Sequence, residues 1–154
     1  STLVFKEIVI VSKTKKQGAG TSIEHYIQDA AEIRLTARLQ EEAERLGVAS
    51  KSISSEINKE FEKACVDGNI ETKFSKSKYS KNIEATYQSI VQDLIKKYPD
   101  RKFYFQCVDT EYRNLGKKGD ILIHFDDGEK ISVSVKNYQN GYSSIQVCSG
   151  MPDI

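Results

Sequence analysis

The chain has 154 residues, 38% of them hydrophobic, with 23 basic against 22 acidic side chains and a formal net charge of +1. That profile suits one globular unit, or a catalytic unit with a helical extension, and excludes a disordered polar chain or one drawn to nucleic acid by bulk charge alone. No apolar stretch approaches the length that spans a bilayer, and the opening run at residues 3–11 is too short, and lacks the charged leader, for a secretory signal.

Residues 3–11 read equally as a strand or as the start of a helix. The glycines at 18 and 20 form a loop. Lys15 and Lys16 precede those glycines, the reverse of a phosphate-binding loop, so the segment is expected to lead into a helix. Thr21 to Glu24 has the form of a capping box, with Thr21 as cap and Glu24 reaching back. Ile23, Tyr26, Ile27, Ala30, Ile33, Ala37 and Leu46 then recur at helical spacing until Gly47. A second helix is expected over residues 50–65, closed by Asp67, Gly68 and Asn69, and residues 71–81 read as a basic loop. A third helix over 81–97 carries Ile83, Tyr87, Ile90, Val91, Leu94 and Ile95 on one face and stops before Pro99.

Strand signals dominate the remainder. Residues 102–108 form one strand and residues 144–148 a short last one. Between them, residues 121–125 and 130–136 are two apolar runs around Asp126, Asp127, Gly128 and Glu129, a strong hairpin signal because glycine supplies the positive φ of such turns. Antiparallel pairing brings Asp120, before the first run, close to Lys136, at the end of the second. Ser132, Ser134 and Lys136 alternate with Ile131, Val133 and Val135, so one side of that strand is polar. Gly119 lets backbone approach a ligand beside Asp120.

Basic residues gather at 13–16, 73–81, 96–102 and 113–118, and acidic ones at 41–44 and 56–62. Three scattered cysteines, Cys65, Cys107 and Cys148, point to reduced thiols in a cytoplasmic protein; with His25 and His124 they spell no zinc site. His124, in mid-strand, is read as a packing residue.

The order of elements from the third helix onward, with Gly-Asp opening a strand, a turn, and a strand ending in Ser-Val-Lys, resembles the core of the PD-(D/E)XK nuclease superfamily, and within it the type II restriction endonucleases. The likeness covers about residues 81–148. It implies an α/β fold with a mixed sheet flanked by helices, preceded by a helical region over residues 1–80 that serves dimerisation or DNA gripping. The family's first acid falls on Asp120 and its lysine on Lys136. The acid two residues before that lysine falls on Ser134, as in restriction enzymes that carry Ser-Val-Lys and recruit a carboxylate from elsewhere. Glu84, early in the helix before the first core strand, is the candidate for that carboxylate, with Glu111, Glu56 and Glu60 behind it.

The resemblance implies a Mg²⁺-dependent endonuclease acting on double-stranded DNA. Asp120 and Glu84 would be metal ligands together with the Val135 carbonyl, Lys136 would orient the attacking water, and Ser134 would bind water or phosphate. Lys117, Lys118, Asn137, Tyr138, Gln139 and Asn140 flank the site and are expected to contact DNA, since amides read base edges and lysines meet phosphates. Cutting both strands implies a homodimer. The family core usually continues with a further helix and strand, so the resemblance leaves room for the chain to be a fragment of a longer enzyme, with a carboxylate ligand or recognition residues beyond residue 154. An RNA-cleaving toxin, a repair nuclease, or a non-catalytic nucleic-acid-binding scaffold are the competing readings.

Overall fold

A computed structural model describes residues 6–12, 22–108, 121–136 and 142–148; for 6–12, 22, 134–136 and 142–148 it describes the backbone only. The element order is β1 (Lys6–Ser12), α1 (Ser22–Arg45), α2 (Ser54–Gly68), α3 (Glu71–Ser75), α4 (Lys78–Lys97), β2 (Phe103–Cys107), β3 (Ile121–Phe125), β4 (Lys130–Lys136) and β5 (Tyr142–Cys148). The strands form one sheet in the order β2-β3-β4-β1-β5. β2, β3 and β4 make an antiparallel meander, β1 runs parallel to β4, and β5 runs antiparallel to β1. The sheet is therefore mixed, and the chain is α/β, as the sequence implies.

The ambiguous opening run is a strand. Its β-branched residues, Ile8, Val9, Ile10 and Val11, suit a strand paired on both sides, and Ile8 stands in register with Val133 of β4 and Val147 of β5. The helices therefore do not all precede the strands.

The helical period predicts that α1 buries one stripe beginning at Ile23 and Tyr26, yet these are 42% and 47% exposed. Ala30 and Ala37 of that stripe are fully buried, and the helix also buries Ala31, Leu35, Leu39 and Ala43, because its middle lies among α2, α4 and β2. Its companions on the sheet are Phe103, Phe105, Ile121, Ile123, Ile131 and Val133, which join it, along with Ile83, Ile90 and Leu94 of α4, in a single core. Residues 1–80 and 81–154 share that core, so a boundary at residue 80 does not separate independently packed units.

α2 starts at Ser54 rather than at 50, since the residues before it run along the edge of β2. Phe103 N–H donates to the Val48 carbonyl and Ser50 N–H to the Phe103 carbonyl, each at 3.0 Å. The helix also runs on through Gly68 and ends at Asn69, whose left-handed backbone (φ 51°) turns its N–H back to the carbonyls of Cys65 and Val66. A Cβ at Gly68 would lie 3.0 Å from Tyr26 Cβ and Cγ, so a larger residue there would have to push the Tyr26 side chain aside by a few tenths of an ångström.

The expected loop at 71–81 is instead α3 and the first turn of α4. Phe74 anchors α3, buried edge-on against Phe61 with ring centroids 5.1 Å apart. Ser77 caps α4, its hydroxyl accepting from Ser80 N–H. The hairpin has the bounds expected from sequence. Gly128 takes φ 94°, its N–H donates to the Phe125 carbonyl, and Phe125 N–H donates to the Glu129 carbonyl.

Candidate active site

Register places the hairpin's open end inside the sheet. Ile121 pairs with Val133 of β4, and beyond that pair Ser134, Val135 and Lys136 are in register with Val9, Ile10 and Val11 of β1. Ser132 is buried on the side of β4 away from the hydrophobic core, while Ile131 and Val133 enter that core. Of the sequence-derived site residues, Asp120, Glu111, Lys117, Lys118, Asn137, Tyr138, Gln139 and Asn140 lie outside the described residues, as do Thr21 and the glycine loop before it. For Ser134, Val135 and Lys136 the backbone alone is described.

Glu84 has a partner that sequence did not reveal. Arg38 of α1 grips its carboxylate through Nε (3.1 Å to both oxygens) and Nη2 (2.7 Å to Oε1), while Arg38 Nη1 reaches Glu41 at 3.0 Å. Burial pulls the Arg38 guanidinium down, but the hydrogen bonds and charges of Glu84 and Glu41 outweigh it and hold the group above its ordinary value. Tyr98, just past α4, lies against Phe125, so α4 finishes at the turn end of the hairpin. Glu84, several turns upstream, is therefore toward the end where β3 begins and β4 finishes. It belongs, however, to a helix packed on the apolar side of the sheet, opposite Ser132. Glu56 and Glu60 are exposed on α2. Among the described residues no three histidine, cysteine, aspartate or glutamate side chains gather as a metal-binding group.

The sheet side away from the helices carries a row of residues that the sequence reading did not bring together. Tyr104 of β2 is opposite His124 of β3, and His124 opposite Lys130 of β4. The Tyr104 and His124 rings stack at 4.5 Å with 6° between planes, and Lys51 Nζ sits 4.4 Å over the Tyr104 ring. His124 Nε2 and Gln106 Oε1 are hydrogen-bonded at 2.7 Å. Burial first, then the charges of Lys130 and Lys51, push the His124 imidazole below its ordinary range and keep it neutral near pH 7. His124 thus packs against a neighbour, as expected. A strand register would have disclosed the Tyr104 and His124 pair; Lys51, far from both in the chain and outside any strand, left no signal in the sequence.

Lys51 is fixed from beneath. Buried Gln40 donates to the Lys51 carbonyl at 2.7 Å and to Glu44 at 2.8 Å, and accepts from Phe105 N–H at 2.9 Å. Glu44 in turn accepts from Ile53 N–H, Ser54 N–H and the Ser54 hydroxyl, capping α2. A separate cavity of about 350 Å³ lies between α1, α2 and α3, lined by Arg34, Phe61, Cys65 and Phe74 among others. Burial, then Glu71, push the Cys65 thiol up against the opposing pull of Arg34, which makes it a poor nucleophile.

Comparison of the chain with protein-family models, with curated proteins and with solved structures gives no match. Among the described residues no helix is long and apolar enough to cross a membrane.

Proposed function

We propose that the chain is a Mg²⁺-dependent endonuclease of restriction type that hydrolyses phosphodiester bonds in double-stranded DNA. The observation that carries this reading is the hairpin. A Gly-Asp dipeptide opens one of its strands, Ser-Val-Lys closes the other, and those strands lie inside a mixed sheet with a helix packed behind them. Carboxylate, carbonyl and water oxygens are the donors magnesium prefers, and Asp120 with the Val135 carbonyl supplies two of them. The ion, when bound, provides a hydroxide near neutral pH and relief for charge on the phosphate.

Asp120 holds the anionic side of the site. Lys136 orients the attacking water and meets the charge that builds on the phosphate, while Ser134 offers a hydroxyl to water or to a phosphate oxygen. Glu84 serves as the further carboxylate only if it exchanges Arg38 for the metal; Glu111 is the alternative. Lys117, Lys118, Asn137, Tyr138, Gln139 and Asn140 contact the duplex around this centre. Two copies, one per strand, form the working homodimer. A free thiol at Cys65 suits a cytoplasmic setting.

Plasmid DNA incubated with the protein and Mg²⁺ is expected to yield discrete fragments, and Lys136→Ala is expected to bind DNA yet cut it at least about 10²-fold more slowly. A wild-type protein that cuts no nucleic acid with Mg²⁺ or Mn²⁺ overturns the proposal. A non-catalytic nucleic-acid-binding domain then takes its place, a reading favoured by serine at position 134 and by the Arg38 grip on Glu84.

A further inference from the structure

The row formed by Lys51, Tyr104, His124 and Lys130 crosses three elements of the sheet. At ordinary strand spacing it is about 14 Å wide, with a cation at each end and two stacked rings between. Its parts are tied to the fold. Lys51 hangs from a carbonyl tied to a buried amide, and the rings clamp each other and are tied to Gln106. The acids nearest it in the chain are in the β3–β4 turn, where Arg101 engages Asp127 at 2.8 Å and Glu129 at 2.6 Å, so Asp126 is the remaining acid of that turn. A positive, half-exposed row with fixed donors matches a polyanion laid across the strands. The next residues on this side of the sheet, Leu122 and Ser132, are buried, so the exposed part is the row itself.

We infer that this row is a second DNA-backbone contact, in which Lys51 and Lys130 each meet a phosphate. Tyr104 and His124 act by holding the two ammonium groups apart and by lining the path between them. The inference rests on the DNA-cleaving reading for its substrate class, but not for the binding itself.

Binding of a short labelled duplex is measured by anisotropy in EDTA, so that affinity is read apart from cutting, over a series of salt concentrations. Each neutralised phosphate contributes about 0.9 to the slope of log K against log salt. Lys51→Ala and Lys130→Ala are each expected to make the slope shallower by about 0.9 and to raise Kd several-fold at low salt, with thermal unfolding unchanged. Lys63→Ala on α2, where Lys63 pairs with Asp67, is expected to change neither quantity. Wild-type slopes in both row variants overturn the inference, as does a wild-type protein that binds no duplex. Shallower slopes in a protein that cuts nothing with Mg²⁺ leave the inference standing and remove the nuclease reading. Wild-type slopes in a protein that does cut have the opposite effect.

Discussion

Gln40 is wholly buried, yet its amide serves three groups at once: the edge N–H of Phe105, the Lys51 carbonyl and the Glu44 carboxylate. Gln40→Leu fills the space but orphans the first two, and a buried orphan costs roughly 1–3 kcal/mol, so urea denaturation should show about 3 kcal/mol lost. Glu44 gives the network its pH dependence. Burial pushes its carboxyl up, but hydrogen bonds from Ser54, Gln40 and the Ile53 backbone outweigh that and hold it below the usual range. A depressed carboxylate stabilises the fold above its unfolded value of about 4.5, and that contribution is lost as pH falls through the lower folded value. His124 acts in the same direction higher up. Its folded value is also depressed, so below about 6.5 the unfolded chain takes a proton that the folded one refuses, and stability falls. His124→Gln should flatten the decline just below pH 6.5, and Glu44→Gln the one below 4.5, in unfolding measured across pH. Glu84 admits a sharper contrast. As Arg38's partner, 45% exposed, its conversion to Gln shifts stability by less than about 1 kcal/mol and leaves cleavage untouched. As a metal ligand, the same change lowers cleavage by orders of magnitude, and kcat on plasmid DNA separates the two.

The hairpin is legible in the sequence because all of its determinants are local: an apolar run on each side and a glycine where the turn demands φ 94°. Nothing lies within 4 Å of a Cβ placed at Gly128, so Gly128→Ala should cost only the left-handed backbone, about 1–2 kcal/mol by chemical denaturation. α4 and the finish of α1 before Gly47 are equally local. What sequence misjudges is set by distant partners. The start of α2 waits for a carboxylate from α1, and its neighbours 48–50 are drawn out along β2. α3 forms because Phe74 finds Phe61, and a polar, lysine-rich stretch gives no hint of that pairing. Ile23 and Tyr26 match the helical period of α1 yet face outward, since alanines and leucines further along fit the narrow space under the sheet. The candidate site divides in the same manner. The Asp120 and Lys136 motif is a local pattern, whereas the Arg38 grip on Glu84 spans 46 positions and depends on how α1 crosses α4.

At the scale of the molecule, the sheet order dictates how far the chain can be shortened. β1 comes first in sequence but lies between β4 and β5, so the strand that ends in Lys136 has its inner neighbour supplied from the N-terminal end. The apolar side of the meander, with Phe103, Phe105, Ile121, Ile123, Ile131 and Val133, is covered from residues 1–80 by Leu35 and Leu39 of α1. A fragment of residues 81–154 would keep the entire hairpin motif yet expose that side and leave β4 without β1. Loss of a single buried leucine already costs about 2–5 kcal/mol, comparable to the whole stability of a small domain, and the fragment loses both leucines and a strand. Residues 81–154 alone are therefore expected to show no cooperative thermal transition, and mixing them with a separate 1–80 fragment should restore one. A fragment that melts cooperatively by itself, with slow amide exchange in β3 and β4, would mean that α1 and β1 decorate a core already able to stand. Slow exchange in β3 and β4 only after mixing would mean that the residues around Lys136 are held in place by the N-terminal half of the chain.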